Sequence, residues 1–225
     1  MTSAIVTGGS RGIGKAVAIM LARKGVDVAI CSRNSQEIDE VVNEIAQIHP
    51  GVMGMKCDVG IALQVDALVK KTVDKFGRID ILINNAGIVF LKKLADTTDQ
   101  EWDSTINSNL KSAFLCCRAV LPRMADGTII NVSSGAGKTG FENLSAYCAS
   151  KFGMIGLTES LAWEVRDRTR VMAICPGDVD TAMQDVDPEY HRENESRMLT
   201  AEQVAYKILE MIFDGKYRNG QSIDI

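Results

Sequence analysis

The chain has 225 residues, of which 46% are hydrophobic and 24% are charged, and this balance is typical of one globular domain with a sizeable core. The net charge of −4 gives no electrostatic reason to expect nucleic acid or an anionic membrane as a partner. No apolar run approaches the roughly 20 residues of a membrane-spanning helix, and no signal peptide is visible, so we expect a cytoplasmic protein.

Short apolar runs alternate with longer runs of helical periodicity along nearly the whole chain. The short runs predict strands at Ser3–Thr7, Val26–Ser32, Val52–Asp58, Ile79–Asn84, Thr128–Val132, Val171–Cys175 and Ser222–Ile225. The longer runs predict helices at 12–24, 35–48, 61–76, 100–123, 146–167 and 201–214. This alternation predicts an α/β fold with a doubly wound parallel sheet of the Rossmann type. Because no linker interrupts the pattern, residues 1–225 are expected to form a single domain.

The segment TGGSRGIG, at Thr7–Gly14, follows the first predicted strand and begins the first predicted helix. Gly8, Gly12 and Gly14 allow a tight turn, a close approach of the backbone to a pyrophosphate, and close packing of the helix on the strand. The helix N-terminus adds free N–H groups and the positive end of its dipole. This context predicts a dinucleotide site; the alternative is a glycine-rich turn that binds no ligand.

Tyr147 and Lys151 are four residues apart in a predicted helix and therefore lie on one face of it. Taken alone, such a pair is more often a surface pair than a catalytic one. An ammonium group about 5 Å from a phenol, at an effective dielectric constant of about 20, favours the phenolate by roughly 3 kcal/mol. That energy corresponds to a fall of about two units in the phenol pKa, before desolvation opposes it.

The cysteines and histidines indicate neither disulfides nor a metal site. The six cysteines show no CxxC spacing, so we expect buried, reduced thiols. His49 and His191 are far apart and lack neighbouring ligands at metal spacing, so no metal site is expected.

Several motifs in a fixed order resemble those of the short-chain dehydrogenase/reductase family. The glycine-rich loop matches that family's TGxxxGIG, and NNAG, at Asn84–Gly87, follows the fourth predicted strand. Ser134 lies 13 residues before Tyr147, YCASK looks like the YxxxK motif, and PGDVDTAM looks like the PG-x-x-x-T segment. The resemblance spans nearly the whole chain, and within the family the chain resembles the β-ketoacyl-acyl-carrier-protein reductases.

The resemblance implies hydride transfer from a nicotinamide cofactor to a carbonyl carbon, with Tyr147 as the general acid. It also implies that Ser134 polarises the carbonyl oxygen and that Lys151 holds the nicotinamide ribose. Asn109, in NLKSAF, would hold a water molecule that links Lys151 to solvent. The cofactor contacts implied by the family are Gly8, Ser10, Arg11, Gly12, Ile13, Gly14, Ser32, Arg33, Asp58, Val59, Asn85, Ala86, Gly87, Tyr147, Lys151, Pro176, Gly177, Val179 and Thr181.

Some of these contacts have a simpler alternative. Asp58 would contact the adenine, or it is a solvated acid at a loop end. Thr181 would contact the nicotinamide end, or it caps a local helix.

The end of the second predicted strand favours NADPH/NADP+ as the cofactor. An NAD-specific site places a carboxylate there to bind the ribose hydroxyls, whereas this chain has Ser32 followed by Arg33. A second cation, Arg11, directly precedes Gly12 in the glycine-rich loop. The two arginines resemble the family's NADP-binding pattern; the alternative is a pair of solvated surface arginines.

The expected substrate is a small-molecule carbonyl or alcohol. A 3-oxoacyl thioester is the leading prediction, and a small ketone, aldehyde or sugar is the alternative. The segment 177–200 is predicted to form a short substrate lid, and its acidic residues oppose an anionic carrier protein or coenzyme A. Those residues are Asp178, Asp180, Asp185, Asp187 and Glu189.

Two other classes of protein are alternatives to a carbonyl reductase. A non-catalytic NADP-sensing protein typically lacks the tyrosine or the lysine, and both are present here. A sugar-nucleotide epimerase of the extended branch needs a larger substrate domain and a different glycine spacing.

The predicted helices 100–123 and 146–167 are apolar on more than one side. Ile106, Leu110, Phe114 and Cys117 form one stripe, and Leu115 and Ala119 lie off it. A helix with two apolar faces needs a partner beyond the sheet. Together with the resemblance, this implies a homodimer or a homotetramer.

Overall fold

The computed structural model describes residues 2–225 and contains one seven-stranded sheet whose paired strands are all parallel. The strands are β1 Ser3–Thr7, β2 Asp27–Ser32, β3 Val52–Lys56, β4 Ile81–Asn84, β5 Gly127–Val132, β6 Thr169–Cys175 and β7 Ser222–Asp224. Their spatial order is β3-β2-β1-β4-β5-β6-β7, so the direction of winding reverses between β1 and β4. The predicted doubly wound parallel sheet is confirmed.

Helices cover both faces of the sheet. They are α1 Gly12–Arg23, α2 Ser35–Ala46, α3 Ala62–Phe76, α4 Asp99–Ile106, α5 Ser112–Val120, α6 Ser145–Glu164, α7 Pro188–Asn194 and α8 Ala201–Phe213. The helix predicted over 100–123 is one uninterrupted helical segment in the structure, in which a π-helical turn at Asn107–Lys111 joins α4 to α5. Within residues 2–225, no helix combines the length and the apolar character needed to cross a bilayer.

The sheet separates two hydrophobic cores. On one face, Val6 and Ile30 pack with Leu21 of α1 and Ile208 of α8. On the other face, Ile5 belongs to a core that includes residues of α3, α5 and α6. Because neighbouring residues of a strand point to opposite faces, strands covered on both sides are mostly apolar. The six cysteines are buried free thiols, as predicted.

A chain of buried polar side chains ties the centre of the sheet to α6. Asn84 Nδ2, in β4, donates to Asn131 Oδ1, in β5, at 2.8 Å. Asn131 Nδ2 then donates to Thr158 Oγ1, in α6, at 2.8 Å. Buried polar groups are stabilising only when they are paired, so these contacts fix the position of α6 against the sheet. That helix carries Tyr147 and Lys151.

Candidate active site

A cleft of about 1400 Å³ lies at the carboxyl ends of the strands, around the point where the winding reverses. Loops that follow each of the first six strands contribute to its walls. Ligands of doubly wound sheets bind at this position. The cleft brings together all the predicted catalytic and cofactor-binding residues except Gly14 and Asn109, which lie behind its surface.

The glycine-rich loop forms a backbone surface that side chains would block. Gly8 and Gly12 have φ angles of +62° and +53°, in the left-handed region that favours glycine. A Cβ atom at Gly14 would overlap the carbonyl oxygen of Gly8, so only glycine allows α1 to approach the loop this closely. Arg11, the N-cap residue of α1, makes no side-chain capping bond within residues 2–225. The first N–H groups of α1 therefore suit an anion such as a pyrophosphate.

The loops after β1 and β4 are fastened to each other by Thr7 and Asn85. Thr7 Oγ1 accepts hydrogen bonds from the N–H groups of Asn85 and Ala86, at 2.9 and 3.1 Å. Asn85 Nδ2 donates to the carbonyl oxygens of Thr7 and Gly8, at 3.0 and 3.1 Å. The side-chain N–H groups of Asn85 thus support the glycine-rich loop, while the residue also lines the cleft.

The end of the cleft beside β2 and β3 contains two unpaired arginines. Arg11 and Arg33 are exposed, and neither forms a hydrogen bond or an ion pair through its side chain within the described residues. Asp58 lines the same end, and its Oδ1 accepts from the N–H of Gly60 at 2.9 Å. Sequence reasoning missed Glu37, which also lines this end and accepts a hydrogen bond from Ser10.

Lys151 is held at the other end of the cleft by the last residues of β5 and the loop after it. Its Nζ donates to the carbonyl oxygen of Val132 at 2.8 Å, and Ser133 Oγ donates to the carbonyl oxygen of Lys151 at 3.0 Å. A Cβ atom at Gly137 would lie 2.5 Å from Ser133 Oγ, so this contact also requires a glycine that the sequence did not single out. Burial lowers the pKa of Lys151 to about 8.

Tyr147 lies one helical turn before Lys151, whose Nζ is 5.5 Å from the centroid of the phenol ring. Burial raises the pKa of Tyr147 to about 12, and the smaller effect of the Ser134 hydroxyl acts in the opposite direction. The predicted fall in the phenol pKa is therefore wrong for this structure. Its physical reason is that desolvation is the larger effect, while the ammonium group of Lys151 donates to Val132 and not to the phenol.

Asn109 lies in the π-helical turn and is fully buried. Its Oδ1 accepts from the N–H of Ile88 at 2.8 Å, and its Nδ2 donates to the carbonyl oxygen of Ile88 at 2.9 Å. The same Nδ2 donates to Ser150 Oγ, in α6, at 3.0 Å. Asn109 therefore joins the loop after β4 to α6. A Cβ atom at Gly87 would lie 3.3 Å from Asn109 Oδ1 and 3.8 Å from Lys151 Nζ, so the two side chains face the same small space.

The predicted lid contains α7, which sequence reasoning missed. Tyr190, in α7, donates its hydroxyl to Asp178 Oδ2 at 2.8 Å, and His191 Nε2 lies 3.0 Å from Asp180 Oδ1. These contacts join α7 to the loop after β6. Of the five acidic lid residues, Asp178, Asp180 and Asp187 line the cleft, whereas Asp185 and Glu189 do not.

Thr181 and Met183 connect the lid to the rest of the site. Thr181 Oγ1 accepts a hydrogen bond from the N–H of Met183 at 3.4 Å, so Thr181 caps the short helix that follows it. Thr181 also lines the cleft. A Cβ atom at Gly12 would lie 3.3 Å from Thr181 Cγ2, which places the lid beside the glycine-rich loop. Met183 Sδ lies 4.0 Å from the hydroxyl of Tyr147.

Comparison with known proteins agrees with this geometry. The short chain dehydrogenase family model matches residues 2–191. The 3-oxoacyl-[acyl-carrier-protein] reductase FabG of Staphylococcus aureus is 41% identical over 188 residues, which cover 81% of this chain and 76% of the relative. The protein of the same name from Thermotoga maritima is 36% identical over 232 residues, which cover 98% of this chain and 94% of the relative.

Among solved structures, a short-chain type dehydrogenase/reductase from Mycobacterium marinum superimposes with a TM-score of 0.94 at 30% identity. The superposition covers the whole of this chain and 93% of that one.

Proposed function

The chain belongs to the short chain dehydrogenase family of oxidoreductases, which act on CH–OH or C=O groups, and we propose that it is an NADPH-dependent reductase of 3-oxoacyl thioesters. The observation that carries this proposal is the convergence of Ser134, Tyr147 and Lys151 on one wall of a cleft whose other end is a glycine-rich backbone surface. A proton donor and a dinucleotide-sized site in one cleft suit carbonyl reduction.

The residues of the cleft fit a dinucleotide. The glycine-rich loop and the N-terminus of α1 offer N–H groups to a pyrophosphate, and the pairing of Thr7 with Asn85 holds that loop in place. Arg11 and Arg33 suit the adenosine ribose with a 2′-phosphate, and Lys151 suits the hydroxyls of the nicotinamide ribose. The nicotinamide cofactor, when bound, supplies the hydride.

The chain's own residues handle the oxygen of the carbonyl group. Ser134 donates a hydrogen bond to that oxygen and polarises it. Tyr147 donates its hydroxyl proton to the same oxygen, and this proton, together with the hydride that the cofactor would supply at the carbonyl carbon, would give the alcohol C–OH. A phenol with a pKa of about 12 is protonated at neutral pH, and the alkoxide oxygen that hydride addition would leave is basic enough to take its proton.

Lys151 and Asn109 support this proton transfer. The ammonium group of Lys151, 5.5 Å from the ring centroid, stabilises the phenolate that remains on Tyr147. Asn109 and Lys151 face the same small space beside Gly87, where a water molecule would return a proton to Tyr147 by way of Lys151. Asn109 would therefore hold the water molecule that links Lys151 to solvent.

The walls of the substrate end of the cleft favour a substrate with an acyl chain. The rim of the cleft instead favours the alternative, a small ketone, aldehyde or sugar. Apolar side chains from three loops line this end, namely Val89, Leu91, Phe141, Leu144, Met183 and Val186. Two relatives at 41% and 36% identity are 3-oxoacyl-[acyl-carrier-protein] reductases. Three aspartates at the rim oppose an anionic carrier and favour a small uncharged ketone, aldehyde or sugar.

A reductase assay separates these substrates. Cofactor absorbance is followed with a 3-oxoacyl thioester, with its short ester analogue and with a panel of small ketones and aldehydes. We expect the thioester to have the largest kcat/KM. A larger kcat/KM for the ester or for a small ketone would overturn the thioester assignment.

The cofactor assignment is tested with Arg33→Ala. A hydrogen bond to a charged group contributes roughly 1.5–3 kcal/mol, so we expect kcat/KM for NADPH to fall by about 10- to 100-fold. NADH has no 2′-phosphate, so its kcat/KM should change little. Arg23→Ala, which removes an exposed arginine outside the cleft, is the matched control. Equal losses with both cofactors, or a wild-type enzyme that prefers NADH, would contradict NADPH as the cofactor.

We propose further that the protein is a cytoplasmic homodimer or homotetramer. Its six buried free thiols suit a reducing compartment. Phe114, in α5, and Phe152, in α6, are 44% and 46% exposed, and a second copy of the chain would cover them.

A further inference from the structure

The adenosine end of the cleft contains a carboxylate that the proposed NADPH site does not use. Glu37, in the first turn of α2, lines the cleft beside Ser10, Arg11 and Arg33. Its Oε2 accepts a hydrogen bond from Ser10 Oγ at 2.7 Å, and its Oε1 accepts one from Asn34 Nδ2 at 2.9 Å. Both partners are uncharged, and within residues 2–225 Glu37 forms no salt bridge, so its negative charge acts on whatever occupies this end.

The Ser10 hydroxyl has a single proton, so it can donate either to Glu37 or to a bound phosphate, but not to both. A 2′-phosphate carries between one and two negative charges at neutral pH, and a nearby carboxylate repels it. The ribose hydroxyl of NADH is neutral and can donate a hydrogen bond to a carboxylate. Glu37 therefore acts against a 2′-phosphate and in favour of a free ribose hydroxyl.

We propose that Glu37 limits the preference for NADPH over NADH, because it holds the Ser10 hydroxyl and places a negative charge beside the 2′-phosphate position. This inference rests on the proposed cofactor site. Arg11 and Arg33 attract the phosphate while Glu37 opposes it. The site therefore accepts both cofactors, with a smaller preference for NADPH than the two arginines alone would give.

The test compares two ligands that differ only in the 2′-phosphate: adenosine 2′,5′-bisphosphate and adenosine 5′-monophosphate. Calorimetric titration of the wild-type protein and of Glu37→Gln gives the ratio of their affinities. A glutamine keeps the size of the side chain and removes its charge. We expect the ratio to shift by about tenfold or more toward the bisphosphate in Glu37→Gln.

Glu40→Gln is the matched control, because it removes one charge from the same helix at a residue outside the cleft. Glu40 accepts from Gln36 Nε2 at 3.2 Å, and within residues 2–225 it forms no hydrogen bond with Ser10, whose hydroxyl donates to Glu37. The control should change the ratio by less than about threefold, as expected for an exposed charge screened by salt. Equal ratios in Glu37→Gln and Glu40→Gln would overturn the proposal.

Ser10→Ala separates the two parts of the inference. In the wild-type background, the hydroxyl is donated to Glu37, so its removal should change bisphosphate binding little. In the Glu37→Gln background, the freed hydroxyl donates to the phosphate, and its removal should cancel much of the gain. Ser10→Ala effects that are equal in both backgrounds would contradict the hydroxyl competition.

The same ligands distinguish failure of this inference from failure of the proposed function. An affinity ratio that Arg33→Ala leaves unchanged would refute the NADPH site itself. A ratio that falls in Arg33→Ala but does not rise in Glu37→Gln would keep that site and refute the role of Glu37.

Discussion

Lys151 carries an ammonium group although only 3% of the residue is exposed. The carbonyl oxygen of Val132 accepts one of its three N–H donors, and this single dipole replaces only part of the hydration that the charge has in water. Its pKa therefore falls from the ordinary 10.5 to about 8. At neutral pH the group still carries its charge, which is the form that the proposed mechanism requires beside Tyr147.

This shift predicts a pH dependence of stability. Between about pH 8 and the ordinary pKa of 10.5, the unfolded chain binds more protons than the folded protein, so stability rises with pH in this window. We expect the free energy of unfolding of the wild type to gain about 3 kcal/mol relative to Lys151→Met across it. Urea unfolding between about pH 7 and pH 10 measures the difference.

The urea unfolding measurements stop at about pH 10 because Tyr147 affects the free energy of unfolding in the opposite direction above its ordinary pKa of 10.0. Burial raises the pKa of Tyr147, so the unfolded chain loses its proton first and stability falls as the pH rises further. Lys24→Met, which removes an exposed lysine, is the control. Parallel pH profiles for the wild type and Lys151→Met would contradict the depressed pKa of Lys151.

Among the elements, α5 is buried on a different face from the one that the sequence predicts. The π turn shifts the side chains of α4 relative to those of α5, but residues within α5 keep ordinary α-helical spacing. Phe114 is exposed, whereas Cys117 is buried together with Leu115 and Ala119. The predicted division of these residues between two faces is therefore wrong.

Part of the apolar surface between α4 and α5 is covered by other residues of the same chain. A Cβ atom at Gly153 would lie 2.7 Å from Leu110 Cδ2, so α6 packs directly on the π-helical turn. The remaining large apolar groups on these helices include Phe114 and Phe152. They are the surface that we assign to a second copy of the chain.

This assignment makes a prediction about mass in solution. Light scattering at micromolar concentration should give a dimer or a tetramer for the wild type. Phe152→Asp places a charge in the proposed interface, where an unpaired charge is costly, so we expect its mass to fall by at least half. Leu63→Asp, on the exposed face of α3, should leave the mass unchanged. A monomeric wild type would contradict the assembly.

The sequence predicts the strands well because buried parallel strands are apolar on both faces, and each observed strand lies within two residues of its predicted bounds. It does not predict the π-helical turn at Asn107–Lys111, because a π turn has no simple sequence signal. It also misses α7, which has seven residues, fewer than two helical turns, and so is too short to show periodicity.

At the scale of the whole molecule, the cleft collects residues from Gly8 to Tyr190, because parallel strands place all their carboxyl ends along one edge. Motif positions alone therefore predict which residues meet. They do not predict the contact between Ser10 and Glu37, which depends on how α2 packs beside the glycine-rich loop. They also do not predict the sign of the pKa shift at Tyr147, which depends on the depth of burial.

Tyr147→Phe tests most directly whether Tyr147 is the general acid, because it keeps the ring and removes the hydroxyl proton. We expect kcat for carbonyl reduction to fall by about 10²–10⁴-fold, while NADPH binds within about threefold of its wild-type affinity in a fluorescence titration. Tyr206→Phe, an exposed tyrosine of α8, should retain full activity. A Tyr147→Phe enzyme that keeps more than about a tenth of the wild-type turnover would show that the proton comes from another group.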